Sequence, residues 1–583
     1  MKKIFLGFIL MYLGSAPLHT IAAQHFLHTD GQNIVDGNGK NVLLRGLGLG
    51  GWMVQEGYML QTGSFAGPQH EIKQHIKDLI GDEKTKLFYD AYITNGVTKR
   101  DIDSLAAWGF NSVRLPMHYN LYTPPIEEEK NNEITWIEKG FQMTDDVLEW
   151  CKANQMYLIL DLHAAPGGQG NDANISDYDS SKPSLWESEA NQKKMIALWK
   201  KLANRYKDES WIGGYDIINE PNWNFTGENK NGCDETSNAP LRQLMVDVTK
   251  AIREVDTNHI IFIEGNCWGN NYEGILPVWD NNMVLSFHKY WTYNTTASIQ
   301  QFLDYREQYN VPIWLGESGE NSNVWFKEAI SLVERHNIGW AFWPMKKVDN
   351  TAGVTSVTKN TGYETLLNYW KNGGDKPTED FAFNALMQLA ENYKMEQLTI
   401  KPDVIDAMFR QVQTDTTKPF KKHSIPGIMY ATDYDLGTNG HAYLDNDYIN
   451  YRIDTGKPVT WNTGRKMRND GVDIQTCKDQ KSNGYQVFDI QDGEWLQYTV
   501  VVEREGTYTI YIRYSSNATH ASFHLENNKQ QITKNIILPK TTNNNHTIYK
   551  TITVKNIKLS KGEHKIKLVF DNGGAIINYL EFK

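Results

Sequence analysis

Between residues 41 and 370, short uninterrupted apolar runs alternate with stretches of helical periodicity. Eight runs occur, at 42–46, 112–116, 157–163, 214–219, 260–265, 284–288, 312–317 and 339–343. A parallel sheet covered on both faces requires continuous apolar strands, and eight of them with intervening helices predict a closed (β/α)8 TIM barrel, an α/β fold. One crossover helix is legible in detail. Thr98 precedes Ile102, Leu105 and Ala106 at helical spacing, and Gly109 follows as a C-terminal cap. Residues 378–412 also read as helix, with Phe381, Leu386, Leu389 and Ala390 on one face. Residues 413–425 are polar, contain Pro419 and read as a linker. Beyond it the period falls to two: Leu496, Tyr498 and Val500, then Tyr508, Ile510, Ile512 and Tyr514, then Ile566, Leu568 and Phe570 before an Asp571-Asn572-Gly573-Gly574 turn. Such strands predict an all-β, jelly-roll-like sandwich over 426–583. The barrel with its flanking helices is assigned to 24–412.

Polar residues enter the apolar runs at their C-terminal ends: Arg114, His163, Asn219 with Glu220, His288 and Glu317. In a barrel those ends share one face, where catalytic groups gather. Glu220 and Glu317 close the fourth and seventh runs, so two carboxylates can meet in one cleft although 97 residues separate them. Such a pair, held in different environments, can divide acid/base and nucleophilic work on a single bond. Glycoside hydrolysis needs that division, and the separation of the pair selects retention or inversion. Trp52, Trp223, Trp268, Trp291 and Trp343 lie within or just after the same strand ends, where flat rings can meet the C–H faces of sugars. No HxH pair or HExxH sequence accompanies His163 and His288, and no metal or other cofactor is expected in the barrel.

The remaining composition narrows the picture. Lys and Arg number 59 against 70 Asp and Glu, a net charge of −11 that argues against nucleic acid as a partner. Sixteen of the 18 Trp precede residue 371, concentrating flat aromatic surface in the barrel. Lys2 and Lys3, a ten-residue apolar run and Ile21-Ala22-Ala23 predict a signal peptide over 1–23, cleaved after Ala23 for secretion or delivery to the periplasm. The run is too short to span a bilayer, so no membrane insertion is expected. A monomer is expected. Cys151, Cys233, Cys267 and Cys477 lack CxxC spacing; a Cys233–Cys267 bridge is open, and buried free thiols are the favoured reading.

Val113-Arg114-Leu115-Pro116, Asp161-Leu162-His163, Asn219-Glu220-Pro221, His288-Lys289-Tyr290, Gly316-Glu317-Ser318 and Phe342-Trp343, in that order, resemble glycoside hydrolase family 5, the cellulase-like retaining hydrolases. The resemblance implies Glu220 as general acid/base, Glu317 as nucleophile, Asn219 on the sugar 2-hydroxyl, Arg114 and Tyr290 around Glu317, and His163, His288 and Trp343 in the same subsite. Leu49-Gly50-Gly51-Trp52 and the segment from His163 to Gln169 resemble the branch acting on β-1,3-glucans, so a β-glucan, linked β-1,3 or β-1,4, is the expected substrate. The alternatives are mannan or xylan under the same chemistry, or a non-catalytic glycan-binding barrel. The C-terminal part, with Asp492-Gly493-Glu494-Trp495 and Gly573-Gly574, resembles carbohydrate-binding module family 6. That family's EAE triplet helps hold a calcium ion, and Tyr430-Ala431-Thr432 stands in its place. Met467 and His546 stand where sugar-clamping aromatics are common; Trp495 reads as core, and Trp461, Tyr485 or Tyr549 offer another surface.

Overall fold

The computed structural model describes residues 26–130, 133–451, 461–542 and 548–583. The signal-peptide assignment at 1–23 and His546 lie outside them. All eight expected runs form strands: β1 (Arg45–Gly48), β2 (Ser112–His118), β3 (Tyr157–Ala164), β4 (Ile212–Asp216), β5 (Ile261–Glu264), β6 (Met283–Lys289), β7 (Ile313–Gly319) and β8 (Trp340–Trp343). Each pairs in parallel with its neighbours, and β8 closes the barrel on β1. The helix Lys99–Trp108 carries the expected caps: Thr98 and Asp101 form a reciprocal capping box, and Gly109 adopts a left-handed φ of 110° that few other residues tolerate. Among the described residues no helix is long and apolar enough to cross a membrane.

The expected helix over 378–412 is broken. It runs from Glu379 to Asn392, and after a short strand Thr399–Ile400 the helix Pro402–Met408 begins. Lys401 precedes a proline, which disfavours helical backbone there, and Pro402 opens the next helix, where its missing N–H costs nothing. Phe381 is 44% exposed and off the packed face. The buried stripe is centred on Ala382, Leu386 and Leu389, and one residue turns a helix by about 100°.

The sandwich consists of a seven-stranded and a six-stranded sheet. His423–Ile425, read from the sequence as the end of the linker, is a strand of the first sheet, parallel to Trp495–Val502. Three residues are too few to show a period of two, and the partner lies some 75 positions away, so only the sheet reveals the strand. Trp495 is half-buried rather than core, with the Lys567 ammonium 3.7 Å from its ring centroid. The sandwich packs on the barrel beside the ends of β6 and β7, through Tyr451, Trp461, Asn469 and Asp470.

Candidate active site

Arg114, on β2, is buried at the centre of the barrel mouth. Its guanidinium lies 2.8 Å from Glu317 Oε2 and Asp216 Oδ2, 2.9 Å from Asn219 Oδ1, 3.1 Å from Glu264 Oε1 and 3.3 Å from Asp161 Oδ2. A planar fork of five donors suits that convergence, because a buried guanidinium persists only when its charge and hydrogens are met. Glu317 accepts at its other oxygen from the Tyr290 hydroxyl, at 2.8 Å. Both residues that the sequence places around Glu317 therefore contact it.

Glu220 lies four residues past β4 with a left-handed φ of 45°. Its backbone N–H donates to Glu264 Oε2 at 2.7 Å, and its Oε1 is 2.6 Å from His288 Nδ1. One oxygen of Glu220 and one of Glu317 lie within 4.8 Å of each other. The two carboxyls have different surroundings. Burial and the charge of Glu317 raise the pKa of Glu220 against the pull of His288, whereas Glu317 faces Arg114 and Tyr290. Burial opposes the charge of His288, but Glu264, Glu317 and Glu220 raise its pKa well above the usual imidazole range.

The set Glu220, His288 and Glu317 is the one group among the described residues spaced like metal ligands. A metal would need a free imidazole lone pair, and both His288 nitrogens already face carboxylates, Glu220 at 2.6 Å and Glu264 at 3.1 Å. The set therefore suits proton handling better than ligation. In the sandwich, Tyr430 packs edge-on against Tyr579, and Thr432 accepts from Asn483. Neither offers a carboxylate, so these positions do not fit the calcium that the resemblance raised.

The cleft above the pair has a volume of about 780 Å³, walled by Trp268, Trp291, Trp343, Tyr58 and Tyr290. Trp343 stacks on His163 at 4.9 Å with their planes 10° apart. Its indole lies against Gly48 and Gly50, where a Cβ would come within 2.6 Å of the ring. The glycine-rich end of β1 is thus the bed of this tryptophan. Asn219 is buried beneath it, its side-chain nitrogen 3.4 Å from His163 Nε2.

Two expected residues are elsewhere. Trp52 is core: its indole N–H donates to the Ile93 carbonyl at 2.7 Å, and the ring fills the space left by Gly96. Trp223 does not line the cleft and packs edge-on against Tyr178. The favoured free thiols at Cys233 and Cys267 are also corrected, since the two form a disulfide. Asn271 donates to the carbonyls of Gly232 and Glu235, which folds the 222–240 loop over the 266–271 turn and brings the sulfurs together. Cys151 and Cys477 are free and buried, as expected.

Sequence reasoning missed Asp216, Glu264, Glu56 and Tyr58. The first two had a signal, an acid within an otherwise apolar run; Glu56 and Tyr58 lie in a loop with none. Glu56 faces His163 at 3.5 Å, and burial pushes its carboxyl up to about 7. Burial works against the charge of His163, yet Asp161 at 2.8 Å carries its pKa to about 10.

Residues 77–349 match the family described as cellulase (glycosyl hydrolase family 5). Residues 468–582 match carbohydrate binding module (family 35), which replaces the family 6 resemblance. A protein named beta-xylosidase from Phanerodontia chrysosporium is 27% identical over 379 residues, covering 59% of this chain and 75% of that protein. Endoglucanase C of Acetivibrio thermocellus is 27% identical over 326 residues, covering 45% and 88%. The solved endoglucanase Cel5A of Thermotoga maritima is 18% identical, with a TM-score of 0.37 and coverage of 59% and 96%. The chain carries a glycoside hydrolase family 5 domain followed by a carbohydrate-binding module, and the two together imply a polysaccharide partner.

Proposed function

We propose that this glycoside hydrolase cleaves β-glucosidic bonds of a β-1,3- or β-1,4-glucan with retention of anomeric configuration. The observation that carries the mechanism is the approach of Glu220 and Glu317 to within 4.8 Å. Retaining enzymes hold their carboxyls about 5–5.5 Å apart, whereas inverting ones leave roughly 6.5–9.5 Å for a water. In the first step Glu317 attacks the anomeric carbon while Glu220 gives its proton to the departing glycosidic oxygen. In the second, Glu220 takes a proton from water, whose oxygen displaces Glu317 from the sugar. Burial supports the first role of Glu220 by keeping a proton available. Arg114 and Tyr290 place donors on both Glu317 oxygens and aim them at the cleft. The two steps need only this chain's own residues, sugar and water.

The names endoglucanase and probable glucan 1,3-beta-glucosidase among the relatives support the glucan reading. A β-xyloside is the second reading, favoured by the beta-xylosidase that aligns over 59% of the chain. Export is part of the proposal: the pattern at 1–23 supports it, and the Cys233–Cys267 disulfide suits an oxidising compartment. The test is hydrolysis of β-1,3-, β-1,4-, mixed-linkage and β-1,6-glucans beside mannan and xylan, with the first product anomer followed by proton NMR. A β-anomer from a glucan supports the proposal. An α-anomer overturns retention, and xylan or mannan as the preferred substrate overturns the glucan assignment.

A further inference from the structure

The loop after β6 does two things at once. Tyr290 donates to Glu317, and Trp291 forms part of the cleft wall. Trp291 has a φ of 56°, a left-handed conformation that a bulky L residue rarely adopts and that its surroundings must hold. Within the barrel the loop is tied at Thr292, whose carbonyl accepts from the Trp325 indole at 3.0 Å. Asn294 adds hydrogen bonds to the Trp325 carbonyl and Glu328, and Trp291 and Tyr293 also meet the sandwich. The Trp461 ring lies 6.4 Å from that of Trp291, inclined by 42°, and the Tyr451 ring lies 4.6 Å from that of Tyr293. Centroid separations of this size are those of aromatic pairs in contact.

Both sandwich residues are themselves anchored to the barrel near the end of β7. The Tyr451 hydroxyl donates to Glu328, and the Trp461 indole N–H donates to Asn469 at 3.1 Å. Asn469 in turn donates to the Asn321 carbonyl at 2.8 Å and to Asn323 at 3.1 Å. Asn321 follows Glu317 by only four residues and donates to the carbonyl of Asn450. The sandwich thus grips the loop carrying Tyr290 and Trp291 and the segment that follows Glu317.

We propose that Trp461, seconded by Tyr451, is a positioning residue for the catalytic cleft: it holds Trp291 in the orientation that presents its ring to the sugar. The C-terminal module is then a working part of the active site, beyond any binding of its own, and the barrel alone is an incomplete enzyme. The contact with substrate belongs to Trp291; Trp461 acts through it.

This inference rests on the cleft taking a saccharide and not on the linkage. The test is a double-mutant cycle in the full-length protein, with Trp291→Ala, Trp461→Ala and the double variant assayed on oligosaccharides of whichever glycan the wild type cleaves. Trp461→Ala is expected to raise KM about tenfold, with kcat reduced less, and the double variant to be no worse than Trp291→Ala alone. Trp461→Phe, which keeps a flat ring, restores KM to within about threefold of wild type. A mere loss of folded protein lowers apparent kcat and leaves KM in place, so the split separates positioning from stability. If Trp461→Ala does not fold, Trp461→Leu takes its place in the cycle. An unchanged KM, or effects of Trp291 and Trp461 that simply multiply, would overturn the inference while leaving the proposed activity standing. A wild type that cleaves xylan and no glucan would overturn the substrate reading instead, with the cycle read on xylo-oligosaccharides.

Discussion

At the barrel mouth six carboxyls, those of Glu56, Asp161, Asp216, Glu220, Glu264 and Glu317, crowd around three cations, Arg114, His163 and His288. In the sandwich, Asp445, Asp473 and Glu494 are also buried, yet among the described residues none forms an ion pair; backbone N–H groups are what they meet. The consequences differ. In the barrel up to three carboxyls must hold protons for the site to be neutral, and burial raises the pKa of three, Glu56, Asp216 and Glu220. Glu264 goes the other way: burial would raise it, but His288 and Arg114 hold it below the usual range. Mixed charge lets neighbouring carboxyls take opposite states, which acid and nucleophile require. Around Asp445 and Asp473 burial and neighbouring carboxylates outweigh the hydrogen bonds from Asp447 and Thr463, so Asp445 rises to about 8 and Asp473 to about 6. There the raised values serve no visible chemistry and make the fold sensitive to pH.

The largest effect expected from breaking the barrel's arrangement is that of Glu317→Ala. Turnover should fall on the order of 10⁴-fold or more, with an unchanged circular dichroism spectrum. Near-normal activity would remove Glu317 from the nucleophile's role. Glu220→Ala comes next, with a loss of about 10²–10⁴-fold on unactivated substrates. With an aryl glycoside whose leaving group needs no acid, added azide should restore much of the rate; no rescue would count against Glu220 as the acid/base.

Arg114→Met strikes the compensation itself. It leaves several buried carboxylates without their shared partner and should cost about 3–5 kcal/mol, read as a fall in denaturant midpoint. A loss below about 1 kcal/mol would mean that water or protons replace Arg114 cheaply. A finer probe is Glu317→Gln. Glu317 helps raise the pKa of Glu220, so its neutral variant should lower that pKa, visible in a carbon-13 titration of the carboxyl. No downward shift would show that the charge of Glu317 does not help set it.

The smallest effect sharpens the sandwich side. The folded pKa of Asp445, about 8, exceeds its unfolded value near 4. Its contribution to stability is fully present below the unfolded value and is lost as pH rises toward 8. Tm of the sandwich transition should therefore fall between about pH 5 and 8, and Asp445→Asn should flatten that slope. At Asp177 in the barrel the sign is opposite. Burial would raise its pKa, but hydrogen bonds from His118 and His70 hold it below the ordinary range, so its contribution is lost on acidification. A Tm profile rising with pH in the sandwich and unchanged in Asp445→Asn would contradict this account.

Periodicity and local chemistry determined much of this protein from the chain alone. Eight apolar runs made eight strands because a barrel strand is buried on both faces and must be apolar throughout, a property that a short window displays. Arg114, His163, Asn219, His288, Trp268, Trp291 and Trp343 were legible for a related reason: a polar or aromatic residue at a strand end is placed by topology once the barrel is recognised; Tyr290 came only from the family resemblance. Trp52 shows the limit, since its position beside a strand end says nothing of the gap at Gly96 that draws its ring into the core. The tertiary structure alone decided that Asp216 and Glu264 also surround Arg114, that Cys233 and Cys267 are bonded, that His423–Ile425 is a strand, and that Trp461 reaches Trp291. Each of these depends on groups tens to hundreds of residues apart. Their pairing is set by how whole elements pack, and no local pattern of hydrophobic and polar positions encodes it.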